Sequence, residues 1–324
     1  MNPEQLLELD ECSSRGSAVT PATALAMLRA GPEQLPDLWA AASRMRYRFF
    51  GNGVRLCSIL NARGGACTED CAFCAQSAHH KTTAAVYDLR TQQEMTAAYT
   101  RASALPIRHF GIVTSGGALD AEGVSRVCRA VRARRIDGVS WCASLGGVSR
   151  DELLELKAAG VRRFHHNLET AESYFPSVCT THAYSGRLET IRAVKEAGLE
   201  VCSGGILGMG ESLDQRVEFA LTLASEGVDS IPLNFLIPIP GTPLAGAAPM
   251  TPLDILRSVA MFRMTNPRAE IRVCAGRIHL RDLQSMIFQA GATGMMIGPL
   301  LTVAGRSVEE DLQMLRDLEV DCAR

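Results

Sequence analysis

Eight short runs of strand-forming residues recur along the chain, and amphipathic helical patterns fill the intervals between them. The runs lie at residues 54–60, 108–115, 138–145, 162–169, 200–207, 230–237, 270–275 and 294–298. Several helical patterns, such as SRDELLELKAAG, end in the glycine that commonly follows a helix. Strands and helices in this number and order predict a (β/α)8 barrel, and an open doubly wound sheet is the alternative. In both folds functional residues gather at the carboxyl ends of the strands.

Residues 1–50 precede the first predicted strand and show helical patterns, with an interruption at Gly31 and Pro32. We expect them to form an N-terminal helical extension, followed by a barrel domain over residues 51–324. A chain of 324 residues exceeds a typical domain, but a barrel of alternating strands and helices can use this length as one unit.

Charge and composition argue against several classes of function. The net charge of −2 gives no general attraction to nucleic acid or anionic membranes, and no apolar run is long enough to span a bilayer. The N-terminal stretch MNPEQLLELDECSS is acidic and polar, unlike a secretory signal. In a reducing compartment, eleven cysteines indicate metal binding, catalysis or burial rather than disulfides. We therefore expect a cytoplasmic metalloenzyme with no nucleic-acid or membrane partner.

Three cysteines stand close together just after the first predicted strand, in the stretch CTEDCAFC. Cys67, Cys71 and Cys74 offer three thiolates, whereas a four-iron cluster normally takes four. Three protein ligands leave one iron open to a substrate or cofactor, as catalytic metal sites leave one position open. A zinc site completed by His79 or His80 is the alternative.

The spacing of these cysteines resembles that of the radical S-adenosylmethionine (SAM) enzymes. Together with HHNLET (165–170) and VCSGGILGMGES (201–212), the longer stretch CTEDCAFCAQS resembles the biotin synthase family in particular. The resemblance implies a [4Fe–4S] cluster whose open iron binds SAM, and a 5′-deoxyadenosyl radical that removes hydrogen from dethiobiotin before sulfur insertion gives biotin. It also implies a flavodoxin- or ferredoxin-type electron donor, and it leaves a homodimer open.

The same resemblance implies roles for individual residues. Phe73 matches an aromatic residue that packs near the adenine of SAM, Arg187 matches a basic residue that pairs with the SAM carboxylate, and Asn234 matches a substrate-contacting asparagine. The other implied cofactor-binding residues are Asn167, Glu169, Gly204, Gly205 and Glu211. Glu169 stands where biotin synthases more often have Asp, so the carboxylate lies one methylene further from the backbone.

Biotin synthases take the inserted sulfur from an auxiliary cluster deep in the barrel, whose usual ligands are three cysteines and an arginine. Cys142, Cys202 and Arg272 match three of these positions. The remaining cysteine position falls at Gly111, which has no side chain that could bind iron. The usual two-iron site is therefore incomplete in this chain.

Two further cysteines offer a replacement for the missing ligand. Cys57 and Cys274 lie on the first and seventh predicted strands, while Cys142 and Cys202 lie on the third and fifth. One interior layer of a barrel takes four side chains from alternate strands, and Arg272 should face the same way as Cys274. We predict a four-cysteine auxiliary site that favours a four-iron cluster over [2Fe–2S], with Arg272 beside it. Four separately buried cysteines are the alternative.

Two other functions stay open at this point. Another radical SAM enzyme, of the hydrogenase-maturation or aminomutase type, would not need both an interior thiolate layer and a substrate-facing Asn234. A non-catalytic iron–sulfur electron carrier would hold its cluster by four protein ligands rather than by a three-cysteine loop. The combined motifs therefore favour a sulfurtransferase that resembles biotin synthase.

Overall fold

A ring of parallel strands forms the centre of the computed structural model, which describes residues 1–298 and 306–322. The strands are β1 (Arg55–Arg63), β2 (Ile107–Thr114), β3 (Ser140–Ser144), β4 (Val161–His165), β5 (Glu200–Cys202), β6 (Gly205–Leu207), β7 (Ser230–Phe235), β8 (Glu270–Val273) and β9 (Gly294–Met296).

The sheet closes on itself. The strand order is β5-β4-β3-β2-β1-β9-β8-β7-β6, and β5 also pairs with β7. All of these pairings are parallel. Because β5 and β6 both pair with β7, they occupy one position in an eight-membered barrel. The predicted barrel is confirmed, and the open sheet is wrong.

The fifth predicted strand differs from the structure in one respect, because it is broken between β5 and β6. An ideal Cβ atom at Gly204 would lie 2.0 Å from the carbonyl oxygen of Pro232, and one at Gly205 would lie 2.0 Å from that of Glu169. Only glycine allows backbones to approach this closely. The two glycines therefore let neighbouring chain segments close around the break.

Helices cover the outside of the barrel. They are α1 (Pro3–Arg15), α2 (Pro21–Leu28), α3 (Leu35–Phe50), α4 (Gln92–Ala102), α5 (Ala121–Ala133), α6 (Arg150–Ala159), α7 (Tyr184–Glu196), α8 (Leu213–Ser225), α9 (Pro252–Thr265), α10 (Met286–Gln289) and α11 (Val308–Asp317). Short 3-10 helices lie at Pro32–Gln34, Phe175–Ser177 and Arg277–Leu283. Within the described residues, no helix is both long and apolar enough to cross a membrane.

The first three helices form the predicted N-terminal extension, with the expected interruption between α2 and α3. All three pack against α9, and α2 also contacts α8. Leu38 of α3 is fully buried in this contact layer. A division into two domains at residue 50 stays a prediction, and parts of the predicted 51–324 domain (299–305 and 323–324) lie outside the described residues.

Removing the side chain of Leu38 should destabilise the whole fold, because this side chain belongs to the same buried core as the residues of the barrel. We expect Leu38→Ala to lower the free energy of unfolding by about 2–5 kcal/mol, measured by urea denaturation. Leu7→Ala on α1 is the matched control, since Leu7 is 60% exposed and should cost little. Equal effects of the two substitutions would show that the extension does not contribute to the core.

Candidate active site with two cysteine groups

One cavity of about 410 Å³ inside the barrel is lined by both predicted groups of cysteines. Its wall runs from strand residues in the barrel interior to the loops that follow β1, β2, β4 and β7. The predicted site residues on this wall are Cys57, Cys67, Cys71, Phe73, Cys74, Cys142, Asn167, Glu169, Arg187, Cys202, Asn234, Arg272 and Cys274. Gly111 also lines it.

The loop after β1, residues 67–74, presents three thiols to this cavity. The backbone folds back on itself, since Cys67 N–H donates to the carbonyl of Gln76 at 2.9 Å and Cys74 N–H donates to that of Cys71 at 2.9 Å. Burial raises the pKa of Cys74 to about 11 and raises the pKa of Cys71 as well. Buried thiolates need a compensating cation. Three thiols without a disulfide in one wall therefore fit an iron–sulfur cluster with one open iron.

The neighbouring histidines do not complete a zinc site in this geometry. His79 Nε2 lies 2.9 Å from the carbonyl oxygen of Thr68, and His80 Nε2 lies 3.1 Å from that of Cys71. Both imidazoles are thus hydrogen-bonded to the backbone of the loop. They stabilise its shape, whereas its three thiols face the cavity.

Residues 178–182 fix the cysteine loop from outside. Asp70 accepts hydrogen bonds from the backbone N–H groups of Thr180 at 2.9 Å and Thr181 at 3.3 Å. The hydrogen bonds from Thr180 hold the pKa of Asp70 well below its ordinary value. Glu69 accepts from Thr181 and contacts His182 Nδ1, both at 2.5 Å. The two acidic residues inside the cysteine motif therefore anchor it, a role that the motif did not reveal.

Glu69, Cys179 and His182 bring possible ligand atoms within 4.8 Å of one another. However, His182 Nε2 already accepts a hydrogen bond from Arg187 Nε at 2.9 Å, and its Nδ1 faces Glu69. A guanidinium group against the imidazole opposes a second cation. This cluster is therefore better described as a hydrogen-bonded anchor than as a metal site.

Polar groups line the wall between the cysteine loop and β6. Arg187 on α7 donates to the carbonyl of Asn167 at 2.7 Å and lies 3.8 Å from Glu169. Asn167 donates to Glu169 at 3.2 Å, and its own amide oxygen accepts from Gly204 N–H at 3.1 Å. Burial raises the pKa of Glu169, whose backbone has φ +71°. An amide, a carboxyl group and a guanidinium thus meet within reach of a polar ligand.

Three predicted cofactor residues, Gly204, Gly205 and Glu211, are not part of the cavity wall that the described residues form. The glycines permit the close backbone contacts at the break between β5 and β6. Glu211 accepts hydrogen bonds from Gly208 and Met209 N–H, each at 2.8 Å, and pairs with Arg216 at 2.7 Å. These contacts organise the turn after β6, and cofactor binding by the three residues stays a prediction.

Asn234 on β7 lines the cavity, but both ends of its amide also contact backbone. Its nitrogen donates to the carbonyl of Gly205 at 3.1 Å, and its oxygen accepts from Ala275 N–H at 3.0 Å. An amide nitrogen has two hydrogens. One N–H therefore remains for a ligand while the side chain is held between two neighbouring strands.

The deeper end of the cavity contains four free thiols. Cys57 and Cys274 share a hydrogen bond, which lowers the pKa of Cys57 and raises that of Cys274. Burial raises the pKa of Cys142 to about 12. Although burial opposes it, the His165 imidazole holds the pKa of Cys202 below its ordinary value. All four side chains face inward, so a sulfur-rich layer lies in the barrel.

A buried ionic cluster lies beside these thiols. Glu270 pairs with Arg163 at 2.8 Å, with Arg272 at 2.6 Å, and with Arg55. Arg163 also pairs with Glu200 at 2.8 Å. Although burial opposes it, the Glu270 carboxylate holds the pKa of Arg272 well above its ordinary value, and nearby cysteines add to this. Two permanently charged guanidinium groups thus stand next to sulfur atoms, which favours thiolates and an anionic cluster.

Two family models match the chain. Residues 62–223 match the family model described as Radical SAM superfamily, and residues 232–321 match the Biotin and Thiamin Synthesis associated domain. The solved structure of methylornithine synthase superposes with a TM-score of 0.84 at 19% identity, and covers 98% of this chain and 97% of that one. A maturase of the [FeFe]-hydrogenase gives a TM-score of 0.82 at 16% identity, covering 99% and 76%. These structural likenesses show the fold.

The barrel and its three-cysteine loop are those of a radical SAM enzyme. Two similar proteins identify the family within this superfamily. The biotin synthase of Maridesulfovibrio salexigens is 52% identical over 94% of this chain and 93% of its own length. That of Geotalea uraniireducens is 50% identical over 95% and 94%. The chain belongs to the biotin synthase family, as its motifs predict.

Removing the charge of Glu270 should leave Arg163 and Arg272 buried without their shared carboxylate. We expect Glu270→Gln to lower the free energy of unfolding by about 3–5 kcal/mol, measured by urea denaturation near neutral pH. Glu122→Gln is the matched control, because Glu122 pairs with Arg129 on the surface with 64% of its side chain exposed. That substitution should change stability little.

The difference in unfolding free energy between wild type and Glu270→Gln should depend on pH. Arg272 and Arg163 overcome the effect of burial and hold the pKa of Glu270 well below its ordinary value. Its stabilising contribution is therefore present above the ordinary carboxyl pKa and is lost as pH falls toward the lowered value. The difference between wild type and Glu270→Gln should shrink on acidification. A difference that grows under acid would contradict this assignment.

Proposed function

We propose that this chain holds a radical-generating cluster and a four-cysteine auxiliary cluster in one cavity, together with SAM and dethiobiotin. The observation that carries the proposal is the single 410 Å³ cavity whose wall contains both cysteine groups. A radical formed in this cavity would reach a substrate that also lies next to the sulfur source. The shared cavity therefore supports sulfur insertion at one active site.

Cys67, Cys71 and Cys74 would hold the [4Fe–4S] cluster, and the polar wall beside them would hold SAM. When bound, these groups supply the 5′-deoxyadenosyl radical that removes hydrogen from the C6 and C9 carbons of dethiobiotin. Arg187 has guanidinium hydrogens left to pair with the SAM carboxylate. Phe73, on the same loop, offers its ring to the adenine.

Cys57, Cys142, Cys202 and Cys274 would hold the auxiliary cluster that provides the sulfur. The inward direction of all four thiols and the guanidinium group of Arg272 support this set. Gly111 adds no side chain to the wall, so it leaves room for a cluster larger than two irons. A four-iron cluster is therefore favoured over [2Fe–2S].

Most of the remaining wall is apolar, which suits a carbon radical. Ile59, Ile112, Val113, Ile206 and Leu236 contribute to it. These side chains would exclude water and pack against the aliphatic chain of dethiobiotin. The free N–H of Asn234 would contact the substrate, and its hold on two strands would fix the direction of that contact.

A biotin synthase requires dethiobiotin and an electron donor. We propose a flavodoxin- or ferredoxin-type donor, because the radical-generating cluster needs one low-potential electron to cleave SAM. A homodimer, and a cytoplasmic location, stay predictions.

The four-cysteine site is tested by Cys57→Ser and Cys274→Ser. Each should reduce biotin formation to background while 5′-deoxyadenosine production continues, because each removes an auxiliary ligand and leaves the radical site intact. Both products are measured in one anaerobic assay. Cys67→Ala should abolish both products.

Cys128→Ser is the matched control, since Cys128 is a fully buried cysteine on α5 that lies outside the cavity wall. It should keep both products. Biotin formation at the wild-type rate in Cys57→Ser or Cys274→Ser would contradict four-cysteine ligation and would return the site to Cys142, Cys202 and Arg272 with another ligand.

A further inference from the structure

Two of the four deep cysteines have an imidazole from the preceding strand against their sulfur atoms. His109 Nδ1 on β2 lies 3.7 Å from Cys142 Sγ on β3, and His165 Nδ1 on β4 lies 3.4 Å from Cys202 Sγ on β5. Both histidines line the cavity. A histidine–cysteine pair therefore occurs twice, and in each case the two residues lie on neighbouring strands.

The strand register explains why both imidazoles face inward. His165 pairs directly with Cys202 across β4 and β5. His109 is two residues before Gly111, and Gly111 pairs with Cys142 across β2 and β3. Alternate residues of a strand share a face, so His109 and Gly111 both point to the cavity.

His109 uses only one of its two ring nitrogens for a hydrogen bond. Its Nε2 is buried and has no hydrogen-bond partner among the described residues, so the ring engages the protein through Nδ1 and Cys142. A thiolate that binds iron carries no proton. The hydrogen of such a contact must then belong to the imidazole, and the donor is Nδ1–H.

Cys57 and Cys274 have different surroundings. Both line the cavity, and Cys57 Sγ lies 3.8 Å from the carbonyl oxygen of Met295. In the part of the chain that the structure describes, no imidazole hydrogen bond to either sulfur is present. The four-sulfur layer is thus asymmetric, with nitrogen donors on the side of Cys142 and Cys202.

We propose that His109 and His165 are positioning residues that donate N–H···S hydrogen bonds to Cys142 and Cys202 and thereby raise the reduction potential of the auxiliary cluster. This inference rests on the proposed four-cysteine site. Hydrogen bonds to cluster sulfurs stabilise the reduced state because that state carries more negative charge. A cluster whose sulfur accepts carbon radicals must also accept electrons, so this tuning bears directly on sulfur insertion.

The test uses the full chain with Cys67, Cys71 and Cys74 replaced by Ala, so that only the auxiliary site can hold iron. His109→Phe and His165→Phe remove the N–H donors, while His109→Asn and His165→Asn keep an N–H near the position of Nδ1. After anaerobic reconstitution, iron and sulfide are counted, and the reduction potential is measured by titration followed by electron paramagnetic resonance. His166→Phe is the matched control, because His166 is the neighbour of His165 and is not part of the described cavity wall.

Each Phe variant should retain iron and shift the potential to a more negative value, the Asn variants should reverse most of the shift, and His166→Phe should match the parent. Unchanged potentials in both Phe variants with iron retained would overturn the inference while leaving the four-cysteine site intact. Loss of iron that neither Asn variant restores would indicate a packing role and would also overturn it. A parent that binds no iron would refute the proposed auxiliary site itself, and the inference with it.

Discussion

Closure of the parallel sheet is the constraint on which the rest of the structure depends. The pair between Cys202 of β5 and Ser230 of β7 joins one end of the strand order to the strand next to the other end, and so closes the ring. Once the ring is closed, alternate side chains of every strand converge on one interior. Cysteines separated by more than two hundred residues, such as Cys57 and Cys274, then line the same cavity. An open sheet would have left them on a face covered by helices.

Charged side chains inside the closed barrel are destabilising unless they are paired, and here they form a compact ionic cluster. Glu270 contacts three arginines, and two of these, Arg163 and Arg272, are almost fully buried. Their excess positive charge lies beside the sulfur layer rather than beside solvent. The same groups that hold the end of the barrel together therefore favour the anionic state that iron ligation requires. Stability and chemistry are coupled through Glu270.

Much of this arrangement could be predicted from the sequence, because it depends on local patterns. The eight strand runs follow from their composition and spacing, and Cys67, Cys71 and Cys74 lie within eight residues of one another. The inward direction of Cys57 and Cys274 follows from strand periodicity once the barrel is assumed. The break after Cys202 does not follow from such patterns, because Gly204 and Gly205 there approach the backbones of Pro232 and Glu169, which lie elsewhere in the sequence.

Other features depend on tertiary contacts that no local pattern reveals. Glu270 is 107 positions from Arg163, so neither residue indicates the other. Asp70 stands inside the cysteine motif, but its partners lie 110 and 111 positions away. In the sequence His109 is an ordinary strand histidine, and only the register of β2 and β3 shows that it lies against Cys142. These long-range pairs are the part of the site that only the folded chain defines.

If one barrel cavity holds two iron–sulfur sites, iron should be found at two places in it. The most direct measurement is an iron anomalous difference map from crystals of the anaerobically reconstituted chain. We expect two separate groups of iron peaks, one next to Cys67, Cys71 and Cys74, and the other about 2.3 Å, a typical metal–thiolate distance, from the sulfurs of Cys57, Cys142, Cys202 and Cys274. Iron at the first group alone, with the four deep sulfurs unligated in fully reconstituted and active protein, would contradict this expectation.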